Sequence, residues 1–233
     1  MQRYLPRFYH IANWLLRHVI FRLLLRVHVE GLHHIPQKGA FILISNHMSF
    51  LDPPLIGTYI PREVVMMSKV ENFEKPIIGH IVRWYGAFPV RRGAGDIRAL
   101  KQALRVLRDG QVLYLAPEGT RSPTHSLLRG KEGLALLAVQ ANVPVVPVAI
   151  WGQEQWRKAW PRLRRPDVYI RVGRPFWLRS EQRRPPRDVL QKLTDAAMCR
   201  LAQLLPPQYR GVYANCEPIA GDVLTVEEAM TPA

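Results

Sequence analysis

The first residues in this chain whose types and spacing suggest chemistry lie in Asn46-His47-Met48-Ser49-Phe50-Leu51-Asp52. An imidazole held by a carboxylate has a fixed tautomer and a stabilised cationic form. A general base needs both properties when it takes a proton from a hydroxyl. His47 and Asp52 therefore read as a candidate dyad. On its own the spacing fits a turn histidine beside a helix-capping aspartate equally well, so the wider sequence must decide. The apolar run Phe41-Ile42-Leu43-Ile44-Ser45 ahead of the stretch suits a buried strand. Pro53-Pro54-Leu55-Ile56 behind it opens a helix, with Asp52 as N-cap and Pro53 at the first helical position. On that placement one carboxylate oxygen of Asp52 caps the helix and the other is free to reach His47.

Three further places bring charge to the ends of apolar runs. Lys69 follows 63–68, Arg91 and Arg92 follow Gly86-Ala87-Phe88-Pro89-Val90, and Pro117-Glu118-Gly119-Thr120-Arg121-Ser122 follows 112–116. Strand ends in an open α/β sheet are where ligands collect. Arginine suits phosphate because its planar fork bonds two oxygens at once. A glycine between an acid and an arginine lets backbone and both charges approach a ligand closely. The bland alternatives are a surface lysine at 69 and a polar turn at 117–122.

The elements that must hold these residues in place alternate between strand and helix. Strands are expected at 26–30, 41–45, 63–68, 86–90, 112–116, 143–150 and 168–172, the last of these closing the set. Helices are expected at 76–83, 96–109, 131–140 and 189–205. In 96–109, Ile97, Leu100, Leu104 and Leu107 form one apolar stripe, with Asp96 as cap and Gly110 as stop. The prolines in Val143-Pro144-Val145-Val146-Pro147-Val148 suggest an irregular start or a bulge. This order argues for a mixed, largely parallel sheet flanked by helices on both faces.

The chain has 233 residues, enough for one good core, and its 48% apolar and 22% charged content excludes disorder. Thirty-three Lys and Arg against 18 Asp and Glu give a formal charge of +15, which predicts attraction to nucleic acid, anionic lipid or a polyphosphate cofactor. Only Cys199 and Cys216 are cysteines, and no clustered Cys/His spacing accompanies them. Neither a disulfide framework nor a metal site is expected. The N-terminus lacks the pattern of an export signal, so a reducing, cytosol-facing location is expected.

Residues 1–27 are apolar and studded with arginine, and their longest uncharged run, 8–16, falls far short of the roughly 20 residues a bilayer span needs. On a helix, Leu5, Tyr9, Ala12, Leu16, Ile20, Leu23 and Val27 fall along one side, with Arg3, Arg7, Arg17, Arg22 and Arg26 on the other half. That is the pattern of an amphipathic helix lying in a membrane interface with arginines toward lipid phosphates. The competing reading is a core-packing helix with a solvated charged face. Residues 151–165 interleave Trp151, Trp156 and Trp160 with Arg157, Lys158, Arg162, Arg164 and Arg165. That pattern suits base stacking, a membrane interface or simple local packing.

Four stretches now stand in one order: Asn46-His47-x-Ser49-x-x-Asp52, Gly86 through Arg92, Pro117 through Ser122, and Val143 through Val148. Together they resemble the glycerolipid acyltransferase family typified by bacterial 1-acylglycerol-3-phosphate acyltransferases. The resemblance runs from Val27 to Tyr213. It implies an acyltransferase domain over 28–213, beside the amphipathic pattern that makes 1–27 a membrane-associating segment and the residues after Tyr213 that read as a loose tail over 214–233. It also implies that His47 deprotonates an acceptor hydroxyl, that Asp52 orients it, and that the hydroxyl attacks an acyl thioester of coenzyme A or acyl carrier protein without an acyl-enzyme. Arg92 is the arginine of the second block, with Arg91 beside it. Glu118, Gly119, Thr120 and Arg121 belong to the block that shapes the acceptor site and contacts its phosphate. Lys69 or Lys131 would add charge there.

The expected reaction converts lysophosphatidic acid to phosphatidic acid, with no cofactor beyond the thioester co-substrate and no metal. The expected partners are an anionic phospholipid surface and the thioester donor, not nucleic acid, at the cytoplasmic face of the cell membrane, peripheral or monotopic. The alternatives are the same chemistry on another lysophospholipid, a glycolipid or a small alcohol, and a non-enzymatic basic module that binds membranes or nucleic acid. No familiar nucleic-acid motif supports the last.

Overall fold

The computed structural model of the chain describes residues 5–91, 95–182, 184–217, 221, 223 and 224. The strands are β1 (Arg26–Glu30), β2 (Phe41–Ser45), β3 (Val64–Lys69), β4 (Phe88–Val90), β5 (Val112–Leu115), β6 (Val145–Trp151) and β7 (Asp167–Val172). They form one seven-stranded sheet in the order β1-β7-β6-β2-β5-β3-β4. β2 lies parallel to both β5 and β6, with Ile42 opposite Leu113 and Leu43 opposite Val146, and β3 and β4 extend the parallel set. β7 runs antiparallel to β6, and β1 joins parallel to β7, which makes the sheet mixed.

β2 shows why these residues make a central strand: all five are buried. Ile42 and Ile44 pack with Ala103, Leu107, Leu134, Leu193 and Ala197 on one face. Phe41 and Leu43 pack with Leu51, Leu55, Ile56, Phe21 and Leu25 on the other. A strand buried on both faces reads as an unbroken apolar run, which is what parallel sheets covered by helices require. Helices Ile97–Arg108, Gly133–Ala141 and Arg187–Leu204 cover the first face, and helix Asp52–Tyr59 and the N-terminal segment cover the second.

Several local expectations change. Asp96 does cap its helix, accepting from the N–H groups of Arg98 and Ala99 at 3.0 Å each. The inward face, however, is Ala99, Ala103, Val106 and Leu107, while Ile97 is 65% exposed. Small alanines let the helix lie close to the sheet, and Leu100 and Leu104 flank the contact. Pro147 causes no bulge: it lies opposite Ile44 in regular register, where the pairing of β6 with β7 has just ended. β7 is also not the last strand. Trp177–Leu178 pairs with Val223–Leu224, and Leu224 is buried, so part of the expected loose tail is docked.

The N-terminal segment is helical over Arg7–Leu15, makes one π-type turn at Leu16–Ile20, and ends with Phe21–Leu24. Most of the apolar side expected to face lipid turns inward instead, although Leu23, expected on that side, stays 67% exposed. Leu5 and Tyr9 are buried, and Ala12, Leu16, Ile20 and Val27 are half-buried. The Tyr9 hydroxyl donates to the carbonyl of Gly57 at 3.3 Å and accepts from the N–H of Val64, and burial pushes its pKa up to about 12. Gly57 also lets Tyr85 pack closely beside its helix, since a Cβ there would lie 2.1 Å from the Tyr85 hydroxyl. A second stripe is exposed in its place: Phe8, Ile11, Leu15, Val19 and Leu23, with Trp14 beside it. This spacing of three and four residues is one helix face.

Candidate active site

β2 ends at Ser45, and the chain turns through His47 into helix Asp52–Tyr59. Asp52 is the first residue of that helix rather than its cap. Its carboxylate points back into the turn, and it is fully buried. Oδ2 accepts from His47 Nδ1, Met48 N and Ser49 N, each at 2.8 Å. Oδ1 accepts from Gln153 Nε2 at 2.8 Å. The oxygen that the sequence reading left free is therefore the busiest acceptor of the site. An ionised carboxylate can only accept, so Nδ1 of His47 carries its hydrogen and Nε2 is left with an open lone pair. The imidazole is 13% exposed, which leaves it one accessible edge.

The loop after β5 holds the same histidine from behind. Glu118 Oε1 accepts from His47 N at 2.7 Å and Oε2 from Leu128 N at 2.9 Å, while Ser122 N donates to the carbonyl of His47 at 2.8 Å. Burial raises the Glu118 carboxyl to about 7, against the pull of those two N–H donors, and the nearby charge of Asp52 raises it further. With 2% exposure and both oxygens engaged, Glu118 is a tether between loops and not a surface offered to a ligand. Gly119 sits at φ +69°, and a Cβ on it would lie 2.9 to 3.0 Å from the Lys131 side chain. The stem of Lys131 thus crosses the loop at its glycine, which brings a cation beside exposed Thr120 and Arg121.

The other basic positions are placed unequally. β2, β3, β4, β5 and β6 all end at one edge of the sheet, so His47, Lys69, Arg91, Glu118 and Gln153 share that edge. Lys69 is the last residue of β3, and its ammonium pairs with Glu71 at 2.7 Å, which offsets the charge expected to serve a phosphate. Arg91 is exposed, and its backbone N–H donates to Asp96. Arg92 lies outside the described residues. Among the described residues, no group of three or more His, Cys, Asp or Glu is placed to hold a metal ion.

Two residues of the site had no role in the sequence reading. The Asn46 side chain bonds both the carbonyl and the N–H of Ile150, at 2.6 and 2.9 Å, stitching the end of β2 to the end of β6. An amide one residue after the apolar run Phe41-Ile42-Leu43-Ile44 was the available signal. Gln153, fully buried, reaches Asp52 from 101 positions away, and no local pattern marks it. Its Oε1 has no hydrogen-bond partner among the described residues.

The tryptophans of 151–165 are engaged within the fold. Trp151 stacks on Tyr169 with ring centroids 5.2 Å apart, Trp156 meets Phe50 and Trp160, and Trp160 Nε1 donates to the carbonyl of Leu24.

Comparison with known proteins bears on this arrangement. A model of the family described as Acyltransferase matches residues 26–151, more than half the chain. The chain belongs to the acyltransferase family. The match begins at β1 and ends at the last residue of β6, so it encloses the parallel strands β2 to β6 and both loops that meet at His47. A 1-acyl-sn-glycerol-3-phosphate acyltransferase of Bacillus subtilis is 25% identical over 179 residues, covering 76% of this chain and 87% of that protein. The human 1-acyl-sn-glycerol-3-phosphate acyltransferase alpha is 33% identical over 144 residues, covering 60% of this chain and 50% of that protein. The chain spans about half the length of the plant and human relatives it matches. The crystal structure of the 1-acyl-sn-glycerophosphate (LPA) acyltransferase PlsC from Thermotoga maritima superposes with a TM-score of 0.64 at 25% identity, covering 84% of this chain and 78% of that one. It has the same mixed, mostly parallel sheet flanked by helices.

Proposed function

We propose that this protein transfers a fatty acyl group from the thioester of coenzyme A or acyl carrier protein to the hydroxyl of lysophosphatidic acid, giving phosphatidic acid. The observation that carries the reading is the bond from His47 Nδ1 to the saturated, buried carboxylate of Asp52. Nε2 then takes the proton of the acceptor hydroxyl as its oxygen attacks the thioester carbonyl. The tetrahedral intermediate expels the thiolate, which takes the proton back from the imidazolium. A positioned base of this kind contributes about 10²- to 10⁴-fold. Arg121, Lys131 and Arg92 are the cations for a phosphate that carries close to two negative charges. The names of the relatives, which specify 1-acyl-sn-glycerol-3-phosphate, support the acceptor assignment.

The acceptor and product are lipids, and the exposed apolar face supplies the route to them. Phe8, Ile11, Trp14, Leu15, Val19 and Leu23 continue into Ile77, Ile78, Ile81 and Trp84 of helix Pro76–Trp84, joined by the ring contact of Phe8 with Trp84 at 5.4 Å. We assign this face to the cytoplasmic surface of the membrane as a peripheral or monotopic contact. Among the described residues no helix is long and apolar enough to cross a bilayer.

The test is thiol release from an acyl-CoA supplied with lysophosphatidic acid. His47→Ala abolishes release while vesicle binding persists, and unimpaired turnover removes the dyad from the mechanism. Arg121→Ala raises KM for the acceptor far more than for the donor, and equal effects on both count against its phosphate role. Product masses from a panel of lysophospholipid, glycolipid and small-alcohol acceptors decide between lysophosphatidic acid and the alternatives.

A further inference from the structure

A cavity of about 310 Å³ lies under the N-terminal segment, lined by Arg17, His18, Phe21, Arg22, Leu25, Val27, Tyr59 and Arg165. Its floor is apolar and its rim carries three guanidinium groups. No carboxylate among the described residues forms an ion pair with Arg17, Arg22 or Arg165. The guanidinium of Arg17 lies over the Tyr59 ring, 5.5 Å from its centre. Arg165 donates from Nε and Nη2 to the carbonyl of Leu25 at 3.2 and 2.6 Å, which fixes its plane and leaves further N–H donors free. The π-type turn at Leu16–Ile20 occurs at this rim, and turns of that kind recur at functional sites.

Three cations gathered without an acid repel one another, and an anion seated among them removes that cost. Planar guanidinium groups around one opening suit phosphate oxygens. The surroundings indicate where such a phosphate comes from. The helix that carries Arg17 and Arg22 also carries the exposed Trp14, Leu15, Val19 and Leu23. β1 and β7 begin beside the cavity, at the edge of the sheet where β6 and β2 end, so the cavity and His47 belong to one edge. We propose that the cavity binds the phosphate ester of an anionic membrane-lipid headgroup, at a site separate from the His47–Asp52 pair. The proposal rests on the membrane-facing reading above and is independent of the chemistry of His47.

The test uses the full chain, with sedimentation on vesicles of phosphatidylcholine alone and of phosphatidylcholine mixed with phosphatidylglycerol. The expected result is tighter binding to the mixed vesicles. Each arginine near an anionic surface contributes about fivefold, so the double variant Arg17→Gln/Arg22→Gln binds mixed vesicles about thirtyfold more weakly. A matched control, Arg98→Gln/Arg105→Gln, removes the same charge from exposed positions on the helix covering the other face of the sheet, and keeps the preference. The Arg22→Gln single variant, which disturbs no stacked ring, covers the case in which loss of Arg17 unsettles the fold.

Equal losses in the pocket and control variants overturn the proposal in favour of diffuse charge attraction. Displacement from vesicles by sn-glycerol 3-phosphate or inorganic phosphate at low concentration assigns the cavity to a free phosphate and overturns the lipid source. Wild-type binding that is strong but equal on both vesicle types overturns the headgroup site while leaving the membrane face intact. Failure to bind either vesicle removes both.

Discussion

Replacing Asp52 by Asn removes one charge while leaving a side chain of the same shape, which makes it the sharpest probe of the proposed base. In the wild type, Oδ2 holds His47 Nδ1, Met48 N and Ser49 N, and Oδ1 holds Gln153 Nε2. An asparagine oxygen facing the first three donors turns its own NH₂ toward Gln153, which sets donor against donor. Gln153 can resolve this by rotating its amide, because its Oε1 has no partner among the described residues and can accept the new N–H. The fold is therefore expected to survive.

What Asp52→Asn loses is the attraction between the carboxylate and the imidazolium that forms in the reaction. At 2.8 Å, with the aspartate fully buried, that attraction is about 6 kcal/mol for an effective dielectric constant near 20. The remaining N–H and amide dipoles relax to recover part of it. A net loss of about 3–5 kcal/mol in the transition state lowers kcat by about 10²- to 10⁴-fold, with KM for the acceptor nearly unchanged. Initial-rate measurement of thiol release, with a circular-dichroism melt to confirm folding, reads both parameters. A folded Asp52→Asn enzyme with kcat within threefold of wild type refutes the argument that this carboxylate supports a base.

Three further outcomes are expected from the same geometry. Gln153→Met deletes one neutral donor to Asp52 without touching His47, so kcat falls by about twelvefold at constant KM, the loss of one hydrogen bond to a charged group of about 1.5 kcal/mol; an unchanged kcat shows that three donors suffice. Glu118 is raised from 4.5 to about 7 by burial, so its proton is held more tightly in the folded state. Stability from this group is full below pH 4.5 and lost as pH rises to about 7, to the extent of roughly 3 kcal/mol. The stability difference between wild type and Glu118→Gln, followed by urea unfolding, should change across that window, and a constant difference shows that Glu118 titrates alike in both states. Ile11 and Leu23 are 64% and 67% exposed, so Ile11→Ser/Leu23→Ser leaves the melting temperature in place and weakens binding to vesicles by about tenfold or more; undiminished binding removes this stripe from the membrane face.

The order of strands and helices was legible because each element satisfies local requirements. Phe41-Ile42-Leu43-Ile44-Ser45 is apolar on both faces, Asp96 caps the helix that starts at Ile97, and Gly110 at φ +76° stops that helix. The dyad was legible for the same reason, since His47 and Asp52 are separated by a single turn and their bond is local. Which side of an amphipathic helix is covered is not local. The N-terminal segment has two apolar stripes, and only its docking through Tyr9 and Gly57 decides that Leu5 and Tyr9 go inward and Ile11 and Leu15 stay out.

Glu118 shows the same division. Its place beside a glycine and an arginine pointed to the site, but whether a carboxylate faces a ligand or a pair of backbone N–H groups depends on how two loops from different strands meet. The sequence by itself determined the elements, their order and the short-range pair of His47 and Asp52, because periodicity, capping and turn chemistry act over a few residues. Tertiary structure alone decided that Gln153 completes the shell of Asp52 and that Arg17, Arg22 and Arg165 surround one cavity. Those groups are brought together by chain crossings more than a hundred residues long, and no local pattern encodes such a meeting.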